Sequence, residues 1–111
     1  MKYLLTVNGN EKWVAGLPPD PEEMEKMGKF VEEIARSGAL IFTGGLSPKE
    51  TRITASGGKI VFTDGPFTEA KEMMGGFALV EVDSHEEAIK LSKRFFAIHG
   101  DGTGTMREIF S

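Results

Sequence analysis

Apolar residues follow two rhythms along this chain, one of strands and one of helices. Lys2-Tyr3-Leu4-Leu5-Thr6-Val7-Asn8 is β-rich and mostly apolar, which predicts a strand covered on at least one face, closed by the turn residues Gly9-Asn10. Pro18, Pro19 and Pro21 cannot sustain a ladder or a helix interior, so Gly16–Pro21 is a loop. Asp20 as N-cap, Pro21 at the first helical position, Glu22 in the first turn and Glu23 three after the cap predict a helix start. Met24, Met27, Val31 and Ile34 then recur at steps of three and four, with Lys26, Lys29, Glu32, Glu33 and Arg36 on the wet side, up to the stop at Gly38.

Beyond Gly38 the period shortens again. Ala39-Leu40-Ile41-Phe42-Thr43 is a short buried-type strand. Thr51–Ala55 and Lys59–Thr63, joined through Ser56-Gly57-Gly58, form a hairpin that is expected to extend one edge of the sheet. Phe77–Val82 is the strongest strand and belongs at the centre. Ser84 with Glu87 makes a capping box for a second helix, whose apolar stripe is Ala88, Leu91 and Phe95 with Ile89 and Phe96 and which ends near Ala97-Ile98. Thr105–Phe110 closes the pattern as a last strand.

The order β-α-β-(β-β)-β-α-β predicts an α+β, ferredoxin-like split β-α-β fold: an antiparallel sheet with an inserted hairpin and two helices on one face. Leu4 with Leu5, and Leu40, Ile41 and Phe42, place apolar side chains on both faces of their strands. A monomer would then expose a patch larger than soluble chains usually tolerate. A homodimer pairing the open sheet faces, with a pocket between them or at the sheet rim, is the expected remedy.

Length and composition narrow the class. With 111 residues the chain is expected to be one domain spanning 1–111, and 40% hydrophobic with 27% charged residues is a globular balance. The absence of cysteine removes disulfides, thiolate metal sites and cysteine nucleophiles. A net charge of −4 argues against direct nucleic-acid binding. No apolar run is long enough for a membrane span or a signal peptide, so a cytoplasmic location is expected. Neither glycine cluster opens a predicted helix as a phosphate loop would, and His85 and His99 stand fourteen residues apart. No cofactor and no metal site are therefore expected.

The densest chemistry lies in Asp64-Gly65-Pro66-Phe67-Thr68-Glu69-Ala70-Lys71-Glu72. It reads either as a solvated charged turn anchored by Phe67 or as the rim of a cleft in which Asp64 and Lys71 meet a polar substrate. This segment, followed by Gly75-Gly76-Phe77, resembles the signature of the DGPF-motif branch of the YCII-related domain family. The resemblance extends to Met1–Leu5, Thr51-Arg52-Ile53, Asp83–Ala88 and Ile98-His99-Gly100. It implies a ferredoxin-like fold assembling as a dimeric α/β barrel, and no particular reaction.

Related YCII-like proteins line their cleft with a His-Asp pair, and His99 and Asp64 are the residues here that match it. The resemblance thus implies His99 as general base, Asp64 orienting its imidazole, and Phe67, Lys71 and Glu72 as ligand-binding residues, Lys71 holding a carboxylate or polarising a carbonyl. His99 reads equally as a helix-end histidine meeting the last carbonyls, His85 as surface, Trp13 as a loop clamp or a pocket rim, and Arg107 as a rim charge or an anion contact. Two functions compete: a small-molecule-binding dimer with acid–base chemistry, or a non-catalytic module docking a sigma-factor-associated partner, since the resemblance implies an association with extracytoplasmic-function sigma factors.

Overall fold

A computed structural model describes residues 1–65 and 69–110. Along them run β1 (Lys2–Asn8), α1 (Glu11–Val14), α2 (Pro21–Arg36), β2 (Leu40–Gly45), β3 (Thr51–Ser56), β4 (Lys59–Asp64), a 3-10 turn (Ala70–Glu72), β5 (Met74–Glu81), α3 (His85–His99) and β6 (Gly104–Glu108). Strands β2-β5-β1-β6 form an antiparallel sheet with β5 and β1 inside. The units β1-α2-β2 and β5-α3-β6 interleave, which is the ferredoxin-like split β-α-β arrangement.

Register assigns every side chain to a face. Thr43, Ala78, Leu5 and Met106 lie in one directly paired row across the four strands. Leu5, Ala78 and Met106 pack on the core formed by Tyr3, Val80, Val82 and the α3 residue Ala88. The adjacent row, Phe42, Leu79, Leu4 and Arg107, therefore faces away from the helices, because alternate strand residues take opposite faces. Both faces are apolar, as the consecutive apolar positions require.

Both long helices start where their caps stand. Asp20 accepts a hydrogen bond from the Glu22 backbone N–H at 3.3 Å, and Ser84 Oγ accepts one from Glu87 at 3.2 Å. Glu87 returns a bond to the Asp83 N–H. The inward stripe of α2 differs from the expected one: Met24 is 53% exposed, whereas Phe30 and Ile34 are buried and Glu23 is half-buried. Two stripes compete on this helix, and the one that buries the large Phe30 ring removes more apolar surface from water. Arg94 on α3 clamps the helix pair, reaching Glu33 Oε2 at 2.5 Å with its guanidinium 4.8 Å above the Phe30 ring.

The hairpin departs most from expectation. Strands β3 and β4 pair only with each other and form a separate two-stranded sheet, so they do not extend the main sheet edge. Gly57 and Gly58 make its two-residue turn with φ of 56° and 79°, the left-handed pair that matches strand twist. Every strand residue of the hairpin is exposed. The radius of gyration is 15.8 Å, against about 13 Å for a compact chain of this length, as a projecting arm requires. The alternation of Thr51–Ala55 correctly signals a strand, but alternation does not specify which sheet a strand joins.

Tyr3 supplies a pH signature. Its side chain is buried and its hydroxyl hydrogen-bonds His85 Nδ1 at 3.0 Å. Burial pushes the phenol above its ordinary 10.0, and the Glu108 and Glu86 carboxylates push the same way. The unfolded chain releases this proton first as pH rises past about 10, so Tyr3's contribution is whole below that pH and is lost as pH climbs through the raised value. Thermal melts at pH 8 and pH 11 are expected to show a smaller alkaline loss in Tyr3→Phe than in the native chain; equal losses would contradict this assignment.

Candidate functional site

The helix side of the sheet encloses two adjoining cavities of different character. One, about 480 Å³, runs between α2, α3 and the sheet and is apolar, with Phe30, Val31, Ile34 and Leu91 among its walls. The other, about 490 Å³, opens at the sheet rim beside α1 and the ends of α2 and α3, with Lys12, Trp13, Asp20, Glu23, His99 and Asp101 around it. Val7, Pro19, Met27 and Phe95 line both, so the polar cavity is the mouth of the apolar one. Each has the volume of a small-molecule site. The sheet rim was one of the two places where a pocket was expected; the apolar cavity lies under the helices, which was neither.

The mouth is built locally. Asn10 caps α1 by accepting from the Trp13 backbone N–H at 2.9 Å. The Trp13 indole N–H donates to the Leu46 carbonyl at 2.8 Å, tying α1 to the chain just after β2. Its ring lies directly on Gly9, where any Cβ would overlap it. Asn8 Nδ2 donates to the Lys71 carbonyl at 2.8 Å and to Thr103 Oγ1 at 3.0 Å, so three loops meet at one side chain. Trp13 is thus a loop clamp that also walls the cavity. Gly9→Ala is expected to displace the indole and cost about 1–3 kcal/mol, read as a lower melting temperature together with a red shift of Trp13 emission; a native spectrum would contradict it.

His99 is the last residue of α3, and its side chain is 19% exposed. The ring stacks on Phe95 with centroids 5.3 Å apart and an interplanar angle of 18°, and meets Phe96 edge-on at 5.9 Å. Its Nδ1 stands 4.0 Å from Glu23 Oε2, an ion-pair distance longer than a hydrogen bond. The ring thus stands at the C-terminal end of α3, beside this carboxylate. The arrangement offers an oriented, partly dry imidazole facing a cleft.

The other sequence-derived candidates stand elsewhere. Asp64 ends β4, is exposed and accepts from Thr51 Oγ1 at 2.8 Å. It lines neither cavity, so the acid beside His99 is Glu23. Lys71 pairs with Glu69 at 3.5 Å in solvent, both side chains being about three-quarters exposed. Glu72 is exposed in the 3-10 turn. Neither Lys71 nor Glu72 lines either of these two cavities, and Phe67 lies outside the described residues. His85 is exposed, as expected of a residue in the first turn of α3. Sequence reasoning missed Glu23, which reads as a capping residue; its place four residues before Met27 and seven before Phe30, on the buried stripe, was the available signal. Among the described residues no group of three or more His, Asp or Glu is disposed to hold a metal ion, and none of the helices is long and apolar enough to cross a membrane.

These features define a ferredoxin-like α+β protein with a ligand-sized cleft on its helix side. The model of the YCII-related domain matches residues 1–110, and the chain belongs to that family. Its fold is similar to that of 5-chloro-2-hydroxyhydroquinone dehydrochlorinase (TftG) from Burkholderia phenoliruptrix AC1100, solved in complex with 2,5-dihydroxybenzoquinone. The TM-score is 0.53 at 12% identity, covering 99% of this chain and 94% of that one, a likeness of fold. No curated protein matches the chain significantly.

Proposed function

We propose that this protein is a small-molecule-binding homodimer that takes a ring compound with an apolar body and a polar edge into the helix-side cleft, and that His99 exchanges a proton with that edge. The observation that carries this reading is the joining of an apolar cavity to a polar mouth at the His99–Glu23 pair. An apolar ring gains roughly 25 cal/mol per Å² on entering such a cavity. Its polar substituents then meet the imidazole in a partly dry mouth, where a positioned histidine contributes about 10²- to 10⁴-fold to a proton-transfer step. Glu23 takes the orienting place that the family resemblance assigns to Asp64. The similar fold of TftG, an enzyme solved with a hydroxylated quinone, supports this choice of ligand class.

Trp13 is the sole tryptophan and walls the mouth, so it reports occupancy directly. Titration with hydroxylated quinones and phenols, 2,5-dihydroxybenzoquinone among them, is expected to change its emission saturably. Absence of a saturable change across such a series would contradict the reading.

A second reading has one observation behind it: Glu69, Lys71 and Glu72 all face solvent beside the DGPF-like segment. A sigma-factor-associated partner docking there would be lost on reversing these three charges and kept on changing His99.

A further inference from the structure

We infer that the β3–β4 hairpin is an exchange arm whose apolar face docks on the open sheet face of a second copy of this chain. The inference rests on the homodimer proposed above and adds what joins the copies. In the hairpin register, Ile53 pairs with Phe62 and Ala55 with Ile60, and the alternate pairs, Arg52 with Thr63 and Ser56 with Lys59, point the other way. One face is therefore apolar and the other is mainly polar. Ile53, Ile60 and Phe62 are 63%, 64% and 66% exposed, so among the described residues no side chain of their own copy covers them. A two-stranded ribbon of this kind is marginal in water unless its apolar face is packed.

The open side of the sheet carries a second apolar row, Phe42, Leu79 and Leu4, in which Phe42 is 60% exposed and Leu79 and Leu4 are half-buried. Laying each arm on the other copy's sheet covers both surfaces with one two-fold operation.

Charge and size favour a second copy as occupant. Asp64 stands on the apolar face at the base of the arm, paired with Thr51 and in register with Ile53 and Phe62 two residues on. Arg107 stands on the open sheet face opposite Leu4 and has no ion-pair partner among the described residues. Exchange thus brings an acid at the edge of one apolar surface toward a base at the edge of the other. An arm face of two six-residue strands measures about 20 Å by 10 Å. Reciprocal exchange counts that footprint twice on each copy, once as the arm given and once as the arm received. That is about 400 Å² per partner, half of the roughly 800 Å² of a standard interface and twice what one arm laid on an unrelated protein would bury.

Light scattering on the full chain tests this. The native protein is expected at twice the chain mass of 12.1 kDa. Phe62→Glu on the arm and Phe42→Glu on the sheet are each expected to raise the dimer dissociation constant at least a hundredfold, with circular dichroism unchanged. Asp64→Lys and Arg107→Glu should each weaken the dimer about tenfold, and their combination should restore it. A native monomer would overturn both the homodimer and the arm. A dimer indifferent to Phe62→Glu, or charge reversals that add rather than compensate, would overturn the arm alone and leave the homodimer standing. Should a variant fail to fold, chains carrying Phe62→Cys mixed with chains carrying Phe42→Cys provide an independent readout, since the native sequence has no cysteine. A disulfide joining the two kinds of chain supports the arm, and its absence under oxidation contradicts it.

Discussion

Replacing His99 by Asn is expected to lower turnover of an accepted ring substrate by about 10²- to 10⁴-fold, with affinity changing less than tenfold. Asn keeps the size and a hydrogen-bonding edge but cannot carry a proton through a catalytic cycle. The loss should therefore fall on kcat, with KM nearly constant. A merely structural His99 would behave differently: its stacking on Phe95 and its edge contact with Phe96 tie the end of α3 to the cleft, so removing them would lower stability and affinity together. Glu23→Gln separates a positioning role from a packing one. It retains the shape beside Nδ1 and removes the charge, so it should lower kcat by less than His99→Asn and alter the pH–rate profile while leaving the melting temperature within a few degrees. An unchanged profile would deny Glu23 its orienting role.

Met27→Trp is expected to weaken ligand binding at least a hundredfold, measured by calorimetry. Met27 lines both cavities and is half-buried at their junction. An indole in place of the flexible thioether fills the passage between the apolar chamber and its mouth. Overpacking of this sort costs about 1–3 kcal/mol of stability, which the melting temperature would show separately. Met24→Trp, one turn earlier on the exposed side of the same helix, provides the control: it should bind as the native chain does. Equal loss in both variants would mean that the cleft is not where the ligand sits.

Local chemistry made most of the architecture legible. Asp20-Pro21 and Ser84 mark helix starts because caps satisfy free N–H groups whatever surrounds them, and Phe77–Val82 reads as an inner strand because it is apolar at every position but Glu81. What stayed hidden depends on contacts distant in sequence. Glu23 looks like a capping residue until α3 brings His99 against it, seventy-six positions away. The hairpin looks like an edge of the sheet until its register shows that neither strand meets the main ladder. Asp64 and His99 attract each other on paper as residue types, whereas the structure gives Asp64 to the hairpin and His99 to the cleft. Trp13 was legible only as a choice between a loop clamp and a pocket rim; that it is both needed the contact of its ring with Gly9 and α1, a four-residue helix too short to announce itself in the pattern.

The chain has two histidines at different ends of α3, His99 in the mouth of the cleft and His85 on the Tyr3 hydroxyl. Nuclear magnetic resonance of both imidazole rings, recorded while a hydroxylated quinone or phenol is added, therefore carries its own reference. Saturable displacement of the His99 signals with His85 unmoved is the predicted result. Binding that shifts His85 alone, or both rings equally, would contradict the placement of the ligand in the helix-side cleft.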